Sequence, residues 1–209
     1  MADTQPHLIP ANDTGPIELD GRRQRRDRNR NAVVDAMLDL HSEGNLGPSV
    51  AEIADRSGVS HRSVFRYFDD LDDLVAVACA RSAVRFADVY VIANFGEGTL
   101  TERIDRLVTQ RIALFEKAGP TGRAGRLKAP FMEVLQDDLK RTRALQREQI
   151  RVQFAPELSR LAEPLDAAML STLDVLLSLE SHDLLRYDQG LSKAKTAGVL
   201  RSSLHQLLS

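Results

Sequence analysis

Two groups of side chains in this sequence are equipped for chemistry at a polyanion. The first is RRQRRDRNR at 22 to 30, a run of six arginines and one aspartate. The second is HRSVFRY at 61 to 67, where His61, Arg62, Ser63, Arg66 and Tyr67 supply N–H and O–H donors around Val64. If the second segment is helical, the pairs 62/66 and 63/67 fall one turn apart, and the spacing of Val64 and Phe68 turns the donors outward. Guanidiniums and hydroxyls in that pattern donate to phosphate oxygens, and a guanidinium can also bridge O6 and N7 of a guanine. The donors at 61 to 67 therefore read as a surface for nucleic acid, with Arg22, Arg23, Arg25 and Arg26 as an arm on phosphates.

Nothing comparable supports catalysis. The five histidines, His7, His41, His61, His182 and His205, lack a second ligand at metal spacing, and no Ser/His/Asp order or close carboxylate pair stands out. GPTGRAG at 119 to 125 lacks the lysine and hydroxyl residue of a phosphate loop and follows no strand, so it reads as a loop. No cofactor, no metal and no enzymatic activity are expected. The lone cysteine, Cys79, sits among Ala and Val and reads as a small core residue.

Those donors need elements to hold them, and the period of the apolar residues is helical. Val33, Val34, Met37, Leu38 and Leu40 mark one face of a first helix that Gly44 and Asn45 end. Ser49-Val50-Ala51-Glu52 is a capping box that opens a second helix, Gly58 suits its end, and Ser60 can cap a third. A further helix is expected from Leu71 to about Asn94, and Thr99-Leu100-Thr101-Glu102 is a second capping box opening a helix to about Ala118. Helices over about 126–135, 136–154, 163–187 and 192–208 complete an all-α chain, with GPTGRAG as its clearest internal break.

Charge is unevenly spread in a chain whose formal net charge is only -2. Residues 1–20 carry Asp3, Asp13, Glu18 and Asp20 with no Lys or Arg, and read as an acidic disordered tail. Residues 21–70 then form a helix-turn-helix domain, and 71–209 a larger helical domain. The longest apolar runs, such as Leu74 to Ala80, fall far short of the roughly 20 residues of a membrane span. MADTQPHLIPANDTG has no apolar core of a secretion signal, so a cytoplasmic protein without membrane contact is expected.

The order of a first helix, then SVAEIADRSGVSHRSVFRYF at 49 to 68, then Asp-Asp-Leu at the head of a long helix resembles the TetR family of bacterial transcriptional repressors. The resemblance covers about residues 26 to 75. LDVLLSLESHDLLRYDQGLS at 173 to 192 also looks like that family's final helices. It implies that Val50 and Ala51 open the second helix near the DNA backbone, that His61, Arg62 and Arg66 face base edges, and that Ser63 and Tyr67 donate to phosphates. Phe65 stands where the family often has tyrosine, Arg62 where glycine is common, and Leu71 where a lysine often touches phosphate. Asp69, Asp70, Asp72 and Asp73 make that corner acidic, shifting affinity toward the arginine run.

For the second half the resemblance implies a homodimer and a cavity for a small effector. Leu173, Leu176, Leu177, Ala194, Ala197 and Gly198 suit close helix packing across a subunit boundary, while Phe86, Tyr90, Phe115, Phe131, Met132, Phe154 and Met169 could line the cavity. The expected function is a ligand-responsive regulator that releases double-stranded operator DNA when an effector binds. The alternative is a small-molecule-binding helical protein with weakened DNA binding.

Overall fold

The computed structural model describes residues 17–209, with side chains from Gly21 onward, and is all-α, with no strand among the described residues. Helix α1 (Ile17–Ser42) carries the arginine run in its exposed first half and Val33, Val34, Met37 and Leu38 in its buried second half. It begins inside the segment expected to be a tail, so 17–20 are helical, whereas 1–16 lie outside the described residues. Gly44, at φ 93°, ends the helix in the left-handed region that glycine enters without steric cost.

Helix α2 (Val50–Ser57) starts where the capping box demands. The Ser49 side chain accepts from the Glu52 backbone N–H, and Glu52 accepts from that of Ser49 at 2.8 Å. Gly58 then takes φ 67°, which turns the chain tightly into α3 (His61–Tyr67). Ser60 makes no side-chain cap; its hydroxyl donates to Ser63 Oγ at 2.9 Å. Ile53, Ala54, Val59, Val64, Tyr67 and Phe68 close over the buried face of α1 in one apolar cluster.

Helix α4 (Leu71–Arg85) is capped by Asp70, which accepts from the Asp73 N–H at 2.8 Å. It ends well short of Asn94, because the chain bends at the buried Phe86 into a single turn, α5 (Ala87–Tyr90). Ala78 belongs to the N-terminal cluster and Val75 to a second one, so α4 serves both halves of the molecule. Three ion pairs lace α4 to α1: Arg30–Asp73, Asp35–Arg81 and Asp39–Arg85. The last two repeat one turn further along both helices, which makes α1 and α4 a joined pair.

Helix α6 (Leu100–Lys128) opens on the Thr99 capping box and then runs straight through GPTGRAG, contrary to the expected break. A Cβ on Gly122 would come within 3.2 Å of Leu179 Cδ2, and one on Gly119 within 3.4 Å of Leu179 Cδ1. The glycines thus let α10 (Leu179–Asp183) approach closely, and packing overrides their poor helix propensity. A 3₁₀ turn at Ala129–Phe131 leads to α7 (Glu133–Gln153), α8 (Ala155–Leu158), α9 (Leu165–Leu176) and α10. The single helix expected over 163–187 is interrupted where Ser178 caps α10, and a π-helical turn follows at Leu184–Asp188 before α11 (Lys193–Leu208). No helix among the described residues is long and apolar enough to cross a membrane.

The C-terminal core gathers Ile104, Leu107, Val108, Ile150, Phe154, Leu173, Leu177, Leu200 and Leu204 from α6, α7, α9 and α11. Two buried arginines inside it are held by polar partners. Arg103 bridges both carboxylate oxygens of Glu157 at 2.9 and 2.6 Å, and Arg111, fully buried without a carboxylate, donates to Gln110, Gln149 and the Gln146 carbonyl. Burial holds the Arg111 pKa down to about 10.

Candidate nucleic-acid interface and ligand cavity

On α3 the inward side takes Val64, Tyr67 and Phe68, which leaves His61, Arg62, Phe65 and Arg66 exposed as one stripe. Tyr67 departs from the expectation of an outward donor, being only 8% exposed. Its hydroxyl accepts from Asn29 Nδ2 at 2.8 Å, and the Arg66 guanidinium lies 5.6 Å from its ring centre. That hydrogen bond from Asn29, ahead of the nearby arginines, lowers the phenol pKa. Tyr67 therefore fastens α3 to α1 with its hydroxyl at the floor of a groove. Phe65, 64% exposed and edge-on to His61 at 5.3 Å between centroids, joins the outward stripe instead. Ser63 is half-buried and keeps its own O–H available.

The groove is lined by Arg22, Arg25, Arg26, Asn29, Arg66 and Tyr67. Positions 22, 25, 26 and 29 recur at helical spacing, so α1 turns one face of its arginine run toward Arg66 of α3. None of these four guanidiniums pairs with a carboxylate among the described residues. Arg23, although exposed, does not line the groove. Val50 is half-buried at the head of α2 and Ala51 is exposed beside it.

The acidic corner is less hostile to an anion than four aspartates suggest. Asp70 is occupied as a helix cap and Asp73 pairs with Arg30, whose guanidinium also lies 5.1 Å from the Phe68 ring centre. Asp69 and Asp72 stay exposed, as does Leu71.

A cavity of about 430 Å³ lies between α1, α4, α6 and α7. Of the residues expected to line it, Phe86 and Tyr90 do so. The other five do not. Phe115 packs with Leu114 and Leu179, Met132 with Val75 and Leu135, and Phe154 and Met169 with the C-terminal core, while Phe131 is 87% exposed. The walls come instead from Met37, Leu38, Val75, Ala78, Leu135 and Leu139, with His41, Lys128 and Asp138 among their polar groups. Cys79 lines this cavity rather than a closed core, and burial, helped by Asp138, pushes its thiol up to about 12.

The subunit-contact expectation also needs correction. Leu173, Leu177 and Ala197 are buried in the protomer's own core and are not available to a second copy. Leu176 is half-buried, and Ala194 and Gly198 are exposed on α11. The same helices expose Leu165, Val175, Val199 and Leu207.

This arrangement of helices is found in solved structures. A TetR-family transcriptional regulator from Streptomyces coelicolor superimposes with a TM-score of 0.64 at 22% identity, over 85% of this chain and 81% of that one. Its fold is that of the TetR family. A putative TetR-family regulator from a Rhodococcus species gives a TM-score of 0.63 at 20% identity, over 89% of this chain and 100% of that one. A TetR transcription regulator from Haloarcula marismortui gives 0.56 at 17%, over 86% of this chain and 96% of that one. No protein-family model and no curated relative matches the sequence. Helices α2 and α3, joined by the tight turn at Gly58, have the helix-turn-helix arrangement, and the cavity lies between α1, α4, α6 and α7.

Proposed function

We propose that the protein is a dimeric DNA-binding transcription regulator that leaves its operator when a small molecule occupies the cavity. The observation that carries this reading is the stripe His61-Arg62-Phe65-Arg66 on α3 beside a groove of arginines from α1 that pair with no carboxylate among the described residues, held in a TetR-type frame. Arg62 and Arg66 face bases in the major groove, and Arg22, Arg25 and Arg26 face phosphates. Ser63 donates to phosphate from the flank of α3. Two protomers pair through the exposed apolar positions of α9 and α11, which sets their recognition helices one turn of DNA, about 34–36 Å, or a multiple of it apart.

Regulation follows from the cavity's walls. Met37, Leu38 and His41 belong to α1, and Val75, Ala78 and Phe86 to α4 or its end. Because ion pairs join those two helices, an occupant that fits one spacing of α4 against α6 and α7 better than another moves the recognition elements with it. Only that difference in affinity between the two states does the work.

The test is a gel shift with DNA flanking the protein's own gene, followed by a panel of single-base operator changes. Arg62→Ala or Arg66→Ala should lose about 1–3 kcal/mol of discrimination at one operator position. A folded protein that shifts no such DNA would favour a ligand-binding helical protein with weakened DNA binding, a reading that exposed Leu71, Asp69 and Asp72 at the head of α4 also support.

A further inference from the structure

The polar groups of the cavity are unevenly satisfied. From α7, Asp138 is paired with Arg141 at 3.2 Å. From α6, Lys128 is exposed at the cavity wall and forms no ion pair among the described residues. From α1, His41 is 7% exposed, and its Nδ1 is buried with no hydrogen-bond partner. Thr121 Oγ1 on α6 is likewise buried and unpartnered, while α4 contributes Cys79 and Ser82, and α5 contributes Tyr90. Lys128 and His41 are near enough for the ammonium charge to act on the imidazole. One wall therefore brings together an unpaired cation and an unfilled ring nitrogen, while most of the remaining surface is apolar.

A neutral apolar occupant leaves the His41 nitrogen unfilled and gives Lys128 no partner, and a cation is repelled by Lys128. An anionic head satisfies both at once. We propose that the cavity binds an amphipathic organic acid whose carboxylate lies between His41 and Lys128 and whose apolar body fills the space between α4 and α7. This rests on the cavity being the effector site, and not on the chain binding DNA.

A pH dependence accompanies the geometry. Burial, with the Lys128 charge second, lowers the His41 pKa to about 4, so the ring is neutral near pH 7 in the empty cavity. A carboxylate beside it favours the protonated ring. Binding then takes up a proton, and affinity rises as pH falls from about 7 to about 5.5, a range in which the ligand remains largely ionised.

The experiment is calorimetric titration of the full chain with phenylbutyrate, phenylbutyramide and phenylbutylamine at both pH values, for the wild type and Lys128→Met. The acid should bind at least about tenfold tighter than the amide or the amine, and tighter still at the lower pH. Lys128→Met, at an exposed site that does not threaten folding, should weaken the acid about tenfold and leave the amide unchanged. Equal binding of amide or amine, indifference to Lys128, weaker binding at the lower pH, or no heat from the acid at millimolar concentration each overturns the proposal. A gel shift on the same samples separates the two readings: acid binding without a DNA complex sinks the regulator alone, and a DNA-competent protein that ignores the acid sinks this inference alone.

Discussion

Replacing Arg22, Arg25 and Arg26 together with alanine removes three of the four guanidiniums of the α1/α3 groove and disturbs no buried contact, since all three are exposed. On B-DNA each neutralised phosphate contributes about -0.9 to the slope of log affinity against log salt, so the variant's slope should be shallower by about 2.7 per protomer, or about 5 for two protomers on one operator. Between about 50 and 200 mM salt, 2.7 in slope corresponds to about a 40-fold change in affinity. Fluorescence anisotropy over a salt series reads this directly, on an operator duplex and a scrambled one, and both should lose affinity alike. Arg23→Ala is the control: it carries the same charge on the same helix but lies outside the groove, so its slope should stay near that of the wild type. An unchanged slope in the triple variant would falsify the assignment of this face to phosphates. If Arg23→Ala flattened the slope as much as Arg25→Ala, the run would be acting as diffuse charge and the groove would have no special part.

Three further outcomes follow from contacts inside the fold. Tyr67→Phe keeps the packed ring but strips Asn29 of its acceptor, so thermal melting should show a loss of about 1 kcal/mol, whereas a purely phosphate-contacting hydroxyl would leave stability unchanged. Glu157→Ala leaves the nearly buried Arg103 guanidinium without its counter-charge and should lose about 3–5 kcal/mol in urea unfolding, most of which a double replacement by apolar residues of similar volume should restore. His41 is held neutral in the native state, with a pKa of about 4 against about 6.5 when unfolded, so the unfolded chain binds the extra proton first. The stability it contributes is fully present above about pH 6.5 and is lost as pH falls to about 4, by about 3 kcal/mol in all. Denaturation at several pH values should show that loss in the wild type and not in His41→Leu; identical pH profiles would contradict it.

Capping boxes placed two helix starts well, whereas helix ends and breaks were placed poorly, for a physical reason. Ser49-Glu52 and Thr99-Glu102 satisfy free N–H groups within four residues, so both capping boxes formed where they were read. At Gly119 and Gly122 of α6 the small residues are matched to Leu179, some sixty residues away, which packs where side chains would otherwise stand. Nothing local announces that contact. A glycine-rich stretch reads as a break until the partner that needs the small residues is in place. The bend at Phe86 is similar, since its ring is buried at the wall of a cavity built by α1, α4, α6 and α7.

At the site, the spacing of the apolar residues on α3 already implies the exposed stripe. Tyr67 lies three residues after Val64, and a helix face defined by Val64 and Phe68 must include position 67 and release position 65, as the structure has it. The exposed stripe of four was thus implicit in the spacing, and only Tyr67's polar hydroxyl argued for the outside. The cavity is a different case. Periodicity marks which side chains leave water, but Phe115 and Phe154 in filled core and Phe86 at a cavity wall obey the same rule. The gap exists because α1 and α4, fixed to one another by Asp35–Arg81 and Asp39–Arg85, meet α6 and α7 at a spacing their side chains do not fill. Aromatic size is therefore no guide to which residues border it. His41 is the better pointer, a buried imidazole with an unfilled nitrogen, and that property appears only once the fold has closed around it.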